Sequence, residues 1–252
     1  MFKTRFLSLL CLIGLCSVHF SFTPMELDEK PASLQLEEKY YIHHLTPSDI
    51  NEHLPHLRAL AQECSSAVEI GLRSMVSSWA ILLGLSESSL DSRSYLGIDI
   101  CSPPLDSLLL AESLAKQSGM SFRFLKGNDM DIELEPTDLL FIDSLHTYCH
   151  LTFELEKFSP KVNKYIAMHD TSEPWGSADD CTYWGDYSEY PSHINRSKRG
   201  LWQAVADFLS THPEWKLCKR YYNNHGFTIL ERVFGLNTDS KVDYKIDPLK
   251  QG

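Results

Sequence analysis

The stretch FIDSLHTYCHLTFELEKFSPKVNKYIAMHDT, residues 141–171, places Asp143 and His146 three apart and ends a second apolar run in the pair His169-Asp170. Asp143 and Asp170 offer two hard oxygen ligands and His169 a nitrogen, a set suited to a divalent cation that keeps positions open for water or substrate oxygens. Such a cation lowers the pKa of a bound hydroxyl. His146, one turn beyond Asp143, is an imidazole able to take the released proton near pH 7. A plainer reading competes: Asp143 caps a helix starting near Thr147, and His169-Asp170 only opens a loop.

Three shorter stretches upstream end in a similar way. In Glu69-Ile70-Gly71-Leu72-Arg73-Ser74, Gly71 allows a tight turn, after which the N–H groups of the next helix face a polar ligand. Asp99 closes the next apolar run, where a carboxylate can accept both hydroxyls of a ribose. Gly127-Asn128-Asp129 ends the third and can read an adenine edge. There is no GxGxxG, so a dinucleotide pyrophosphate has no evident cradle.

The elements that must hold these residues alternate along the chain. TPSDINEHLPHLRALAQEC, from Thr46, carries Ile50, Leu54, Leu57 and Leu60 at helical spacing, with Pro47 at a first helical position behind a Thr cap. A strand, SSAVEIGL, follows, then a helix, SMVSSWAILLGL, ended by Gly84. SYLGIDI reads as a strand, LDSLLLAESLAKQSG as a helix stopping at Gly119, and SFRFLKG and DLLFID as strands. A helix from about Thr147 to Phe158 leads to the strand KYIAMHD. This alternation implies βαβ crossovers and a parallel sheet covered on both faces, with ligands bound beyond the carboxyl ends of the strands. The acids and imidazoles fall at those ends.

Residues 171–200 lack apolar periodicity but hold Trp175, Tyr183, Trp184, Tyr187 and Tyr190, the composition of a lid or substrate loop. The helix GLWQAVADFLSTHP follows, and then WKLCKRYY and FTILER around NNHG make a hairpin. The chain of 252 residues, 43% hydrophobic, can bury one sizeable core. Its formal charge of -11 argues against a nucleic-acid partner. Residues 1–24 read as a secretory signal or membrane anchor, with Lys3 and Arg5 ahead of an apolar run at 6–22, the alternative being a mis-called start with Met25 opening the polar stretch MELDEK. Residues 25–45 then form a lead, 46–235 the main domain and 236–252 a polar tail.

E-I-G-x-x-S after the first strand, Y-L-G-I-D after the second, D-L-L-F-I-D-S-L-H-T-Y after the fourth and A-M-H-D-T after the fifth resemble class I S-adenosylmethionine-dependent methyltransferases. The likeness is closer to the branch of cephalosporin-hydroxylase-like proteins and metal-dependent sugar O-methyltransferases, and covers roughly residues 46–233. It implies a Rossmann-like methyltransferase fold: α/β, doubly wound, with a mostly parallel seven-stranded sheet and a C-terminal antiparallel hairpin. It implies S-adenosylmethionine as cofactor, with Glu69, Gly71 and Ser74 along its methionine part, Asp99 at the ribose, and Asn128 and Asp129 on the adenine side. Asp143 counts among these cofactor contacts. Asp143, His169 and Asp170 match the metal positions, with Mg²⁺ the expected ion, and His146 the general base. Two departures stand out: the glycine-rich first loop is reduced to Gly71, and His169 stands where the sugar methyltransferases carry a Glu.

The expected reaction is methylation of a hydroxyl on a small acceptor, such as a sugar or another polyol. The expected partners are that small molecule and no nucleic acid, with membrane contact only through residues 6–22 if they are retained, and homo-oligomerisation left open. Three rivals stay open: a NAD(P)-linked reductase on a similar sheet, a metallohydrolase using the Asp/His cluster, and a non-catalytic carbohydrate-binding or assembly protein on the same fold. The signal-like start points to export or anchoring, whereas supply of S-adenosylmethionine favours the cytoplasm.

Overall fold

The structure, a computed structural model, describes residues 30–180 and 187–233. The signal-like segment and the polar tail lie outside the described residues. Among the described residues, no helix is long and apolar enough to cross a membrane.

Seven strands form one sheet: β1 Ser66–Ile70, β2 Ser94–Asp99, β3 Ser121–Lys126, β4 Thr137–Ile142, β5 Val162–His169, β6 Trp215–Tyr221 and β7 Phe227–Arg232. Their order is β3-β2-β1-β4-β5-β7-β6. β1 to β5 pair in parallel, and β7 runs antiparallel to both β5 and β6. This is the expected mostly parallel α/β sheet closed by a C-terminal hairpin. β4 is buried along its whole length, as a central parallel strand covered on both faces must be.

Among the described residues the six α-helices are α1 Ala32–Leu45, α2 Leu54–Gln62, α3 Val76–Glu87, α4 Leu105–Gln117, α5 Tyr148–Phe158 and α6 Leu201–Thr211. Strand alternation divides the core in two. Ala67, Leu139, Phe141 and Ala167 pack under α1 to α4, while Val68, Ile70, Leu140, Ile142 and Ile166 pack under α5 and α6.

Three boundaries differ from the sequence expectation. The packed unit begins at Pro31 rather than Thr46, because α1 buries Leu36 and Tyr40 in the core. Its other apolar side chains Leu34, Tyr41, Ile42 and Leu45 are exposed, which blurs the helical stripe. The second helix starts at Leu54, not near Pro47. Ser48 Oγ instead accepts the Asn51 N–H at 3.1 Å, ahead of a short 3-10 turn at Asn51–His53. Gly84 does not end α3, which continues to Glu87. A Cβ at Gly84 would collide with the Arg58 carbonyl and come within 2.8 Å of the Ala61 Cβ, so this glycine lets α2 and α3 approach closely.

Candidate active site

β1 is flanked by β2 on one side and β4 on the other, so the strand order reverses there and a crevice opens at the carboxyl ends. The crevice holds a cavity of about 440 Å³, whose walls include Gly71, Arg73, Asp99, Asn128, Asp143 and Tyr190. The exits of β1, β2, β3 and β4 thus converge on one space, as their spacing along the chain led one to expect.

The first loop explains how a chain with a single glycine here still makes the turn. Gly71 has φ +89°, and a Cβ on it would run into the Asp143 carbonyl. Arg73 and Met75 also adopt left-handed backbone, with φ 45° and 65°, which costs roughly 1–2 kcal/mol per residue. Asp99 holds the turn: its Oδ2 accepts the N–H groups of Leu72 at 2.8 Å and Arg73 at 2.9 Å, and its Oδ1 accepts that of Cys101 at 2.8 Å. Much of the carboxylate's acceptor capacity is therefore taken by backbone.

Two expected cofactor contacts do not line the cavity. Glu69 is fully buried and accepts hydrogen bonds from Ser77 Oγ and Tyr95 Oη, because period-two alternation turns residue 69 toward α3 while Ile70 faces the other way. Burial pushes its carboxyl up to about 7 against the pull of those two hydroxyls. Ser74 is exposed, and it is Arg73 in the left-handed turn that reaches the cavity wall. Asn128 and Asp129 are both in the wall. The Asp129 carboxylate, however, is engaged by His150, Oδ2 to Nε2 2.9 Å.

At the ends of β4 and β5 the structure brings Asp143, His146, His169 and Asp170 together. His146 Nε2 lies 2.9 Å from Asp170 Oδ2 and 3.6 Å from Asp143 Oδ1. His169 Nδ1 lies 3.1 Å from Asp170 Oδ2 and 3.5 Å from Asp143 Oδ1. The capping alternative for Asp143 falls away, since Thr147 caps α5 by accepting the His150 N–H at 3.2 Å. Asp170 has φ +56°, a conformation rare outside glycine and costly enough to direct attention to what it positions. His169 Nε2 is 3.0 Å from the Asn224 carbonyl. A carbonyl only accepts, so Nε2 carries the hydrogen and Nδ1 faces the carboxylates.

Charge is concentrated here. Burial alone would lower the His146 imidazole, but the Asp143 and Asp170 carboxylates more than reverse it and bring it to about 9. His169 is likewise raised well above its ordinary range against the effect of burial. Burial would raise both carboxyls, and the facing imidazoles hold Asp143 and Asp170 below the usual range. Trp175 stacks on His146 with ring centroids 5.8 Å apart.

Sequence reasoning missed three residues. His225, in the hairpin turn, reaches Asp170 with Nδ1 3.3 Å from Oδ1, and only strand pairing brings it there. His150 and Glu154 are buried on α5. Their spacing of four beside the Leu151-Leu155-Phe158 stripe was the available signal. In the 171–200 segment, Tyr183 and Trp184 lie outside the described residues. Tyr190 is buried against His150, Nδ1 to hydroxyl 2.9 Å, so this part of the segment serves as cavity wall.

The fold is the Rossmann-like methyltransferase fold expected from the sequence. It is similar to that of a protein from Corynebacterium glutamicum, at 18% identity over 84% of this chain and 94% of that one, with a TM-score of 0.50. Further similar structures are the S-adenosylhomocysteine-bound methyltransferase PaMTH1 of Podospora anserina (16% identity, 79% and 87% covered, TM-score 0.48) and the O-methyltransferase from Bacillus cereus in complex with S-adenosylhomocysteine (15%, 83% and 94%, 0.46). At 18% identity, the first of these likenesses shows the fold alone. No protein-family model and no curated protein matches the chain.

Proposed function

We propose that this protein is an S-adenosylmethionine-dependent O-methyltransferase that methylates a hydroxyl of a small polyol-like acceptor, such as a sugar, with help from a divalent cation. The observation that carries the reading is the position of Asp143. It belongs both to the wall of the 440 Å³ cavity at the switch point and to the group it forms with His169 and Asp170, so a nucleoside in the one and an acceptor at the other would meet across it. The methyltransferase fold and the motifs E-I-G-x-x-S and D-S-L-H-T-Y support the same conclusion.

The residues fit both groups. Asn128 at the β3 exit and Asp99 at the β2 exit supply polar edges to the cavity, and Asp99 retains lone pairs beyond those used by backbone. For the cation, Asp143, His169 and Asp170 place one ligand atom each within 4.8 Å of one another. His169 Nδ1 and Asp170 Oδ1 are buried with ion-pair contacts at 3.1 and 3.3 Å but no well-aligned hydrogen bond, a shortfall that a coordinated ion would remove. When bound, the ion supplies positive charge that makes a nearby hydroxyl more acidic.

The protein's own part is alignment and proton handling. Gly71 and the turn held by Asp99 shape the cavity wall, and Asp143 and Asp170 orient the acceptor side. Nε2 of His146 faces both carboxylates and takes the hydroxyl proton. It needs the neutral ring for this, and a cation sharing those carboxylates weakens the pull that keeps the ring charged. As the acceptor oxygen forms its bond to the methyl carbon, the C–S bond of the sulfonium breaks and the thioether leaves neutral. Because the donor already carries positive charge, approach and orientation account for most of the rate. Trp175, stacked on His146, offers an apolar face for a sugar ring.

The test is calorimetric titration with S-adenosylmethionine beside a methyl-transfer assay on polyol acceptors with Mg²⁺ or Mn²⁺. Binding that persists in Asp143→Asn while transfer is lost supports the assignment. Absence of cofactor binding in the wild type overturns it.

A further inference from the structure

A second group of side chains able to hold a metal ion begins in the cavity wall itself, where Asp129 and His150 stand, and runs inward to Glu154. Asp129, in the turn after β3, meets His150 and Glu154 of α5. One ligand atom from each lies within 4.8 Å of the others, and all three residues are buried. His150 Nε2 is 2.9 Å from Asp129 Oδ2 and 3.7 Å from Glu154 Oε1. In a tetrahedral site with metal–ligand bonds near 2.0–2.1 Å, neighbouring donors stand about 3.3 Å apart, and these two distances bracket that spacing.

The surroundings fit as well. His150 Nδ1 is 2.9 Å from the Tyr190 hydroxyl. If Nδ1–H donates to that oxygen, the Nε2 lone pair faces the two carboxylates, which is how an outer partner orients a metal-binding histidine. Ser144 Oγ donates to Glu154 Oε1 at 2.7 Å and holds that carboxylate from outside. Glu154 Oε2 is buried with no hydrogen-bond partner, on a side chain with no exposed surface. Without an ion, burial and the neighbouring Asp129 keep the Glu154 carboxyl protonated, so a cation entering here would displace that proton and bring positive charge to the group. Lys157 does not supply it at the acids, because its ammonium is spent on the backbone carbonyls of Asp129 at 3.3 Å and Met130 at 2.7 Å.

We propose that Asp129, His150 and Glu154 bind a divalent transition-metal ion of the Zn²⁺ type, which ties α5 to the β3 exit and fixes the wall that Asn128 and Met130 present to the cavity. The mixed nitrogen and oxygen donors suit Zn²⁺ or Co²⁺ rather than an all-oxygen ion. This inference does not depend on the methyl-transfer reading.

The experiment titrates the metal-stripped full-length chain with Co²⁺, following visible d–d absorption and metal per protein after gel filtration. Wild type, Asp170→Asn, His150→Ala, Glu154→Gln and the double variant Asp170→Asn/Glu154→Gln are compared, with circular dichroism confirming each fold. Glu154→Gln keeps the side-chain shape in case His150→Ala does not fold. The expected result is one equivalent retained in Asp170→Asn and bound at least about tenfold more weakly once Glu154 is also changed. An equivalent lost in Asp170→Asn but kept in His150→Ala and Glu154→Gln overturns this site while leaving the cation of the proposed reaction standing. Loss only with His150 or Glu154 does the reverse. No cobalt bound by the wild type overturns both.

Discussion

The Asp143-His146-His169-Asp170 cluster at the β4 and β5 exits and the Asp129-His150-Glu154 cluster across the cavity wall use the same kinds of side chain in different frames. The first, or rim, cluster is assembled from two strand exits and a hairpin turn. It depends on the pairing of β4 with β5 and β5 with β7 and on left-handed backbone at Asp170. The second cluster takes two of its three members from adjacent turns of α5, so helical geometry alone sets most of it. The rim group keeps partial solvent access, with the side chains of His146 and Asp143 23% and 22% exposed, whereas the α5 group is buried throughout. His146 is thus the more accessible imidazole, while His150, though it borders the cavity, is nearly buried and held between Asp129 and Tyr190.

The largest expected effect separates the two groups by activity. His146→Ala should lower methyl transfer by roughly 10²–10⁴-fold, a larger effect than the stability lost with its contacts to Asp143 and Asp170, measured by a single-turnover assay beside thermal unfolding. A comparable loss of stability would show His146 to be structural and erase the contrast.

Gly71→Ala should damage the rim alone. The collision with the Asp143 carbonyl and the φ of +89° predict roughly 3 kcal/mol of destabilisation, read by denaturant unfolding. Cobalt binding at the α5 site should survive in the fraction that folds.

Glu69 belongs to neither cluster and serves as the control. Its carboxyl is raised from 4.5 to about 7 in the fold, so the native state holds this proton more tightly than the unfolded chain. The stabilisation is fully present below pH 4.5 and is lost as pH rises through about 7. The loss amounts to roughly 3 kcal/mol at most. Glu69→Gln should flatten that part of the curve of melting temperature against pH and leave metal stoichiometry unchanged.

The smallest effect is at the joint between the clusters. Thr147 caps α5 between His146 and His150, and Thr147→Ala should cost about 1 kcal/mol and loosen metal held by His150 more than proton transfer at His146. Equal effects on both would mean that α5 moves as one piece.

Much of this was legible along the chain. The alternation of apolar runs with helical stretches specified the layered sheet, and polar groups at successive run ends, Asp99, Asn128 and Asp143 among them, named its functional edge, because carboxyl ends of parallel strands lie on one side by construction. The hairpin was equally plain from NNHG between two β-rich runs. Local pattern could not say which way Glu69 turns, that Asp99 spends itself on the Leu72 and Arg73 amides, or that Gly84 lets two helices pack closely instead of ending one. Those outcomes depend on neighbours distant in sequence. The types and order of the reactive groups were thus determined by the sequence, while the tertiary structure decided their company. It placed His225 beside Asp170 and His150 beside Asp129 through strand pairing and helix docking, since distances between remote residues are set by packing and not by spacing along the chain.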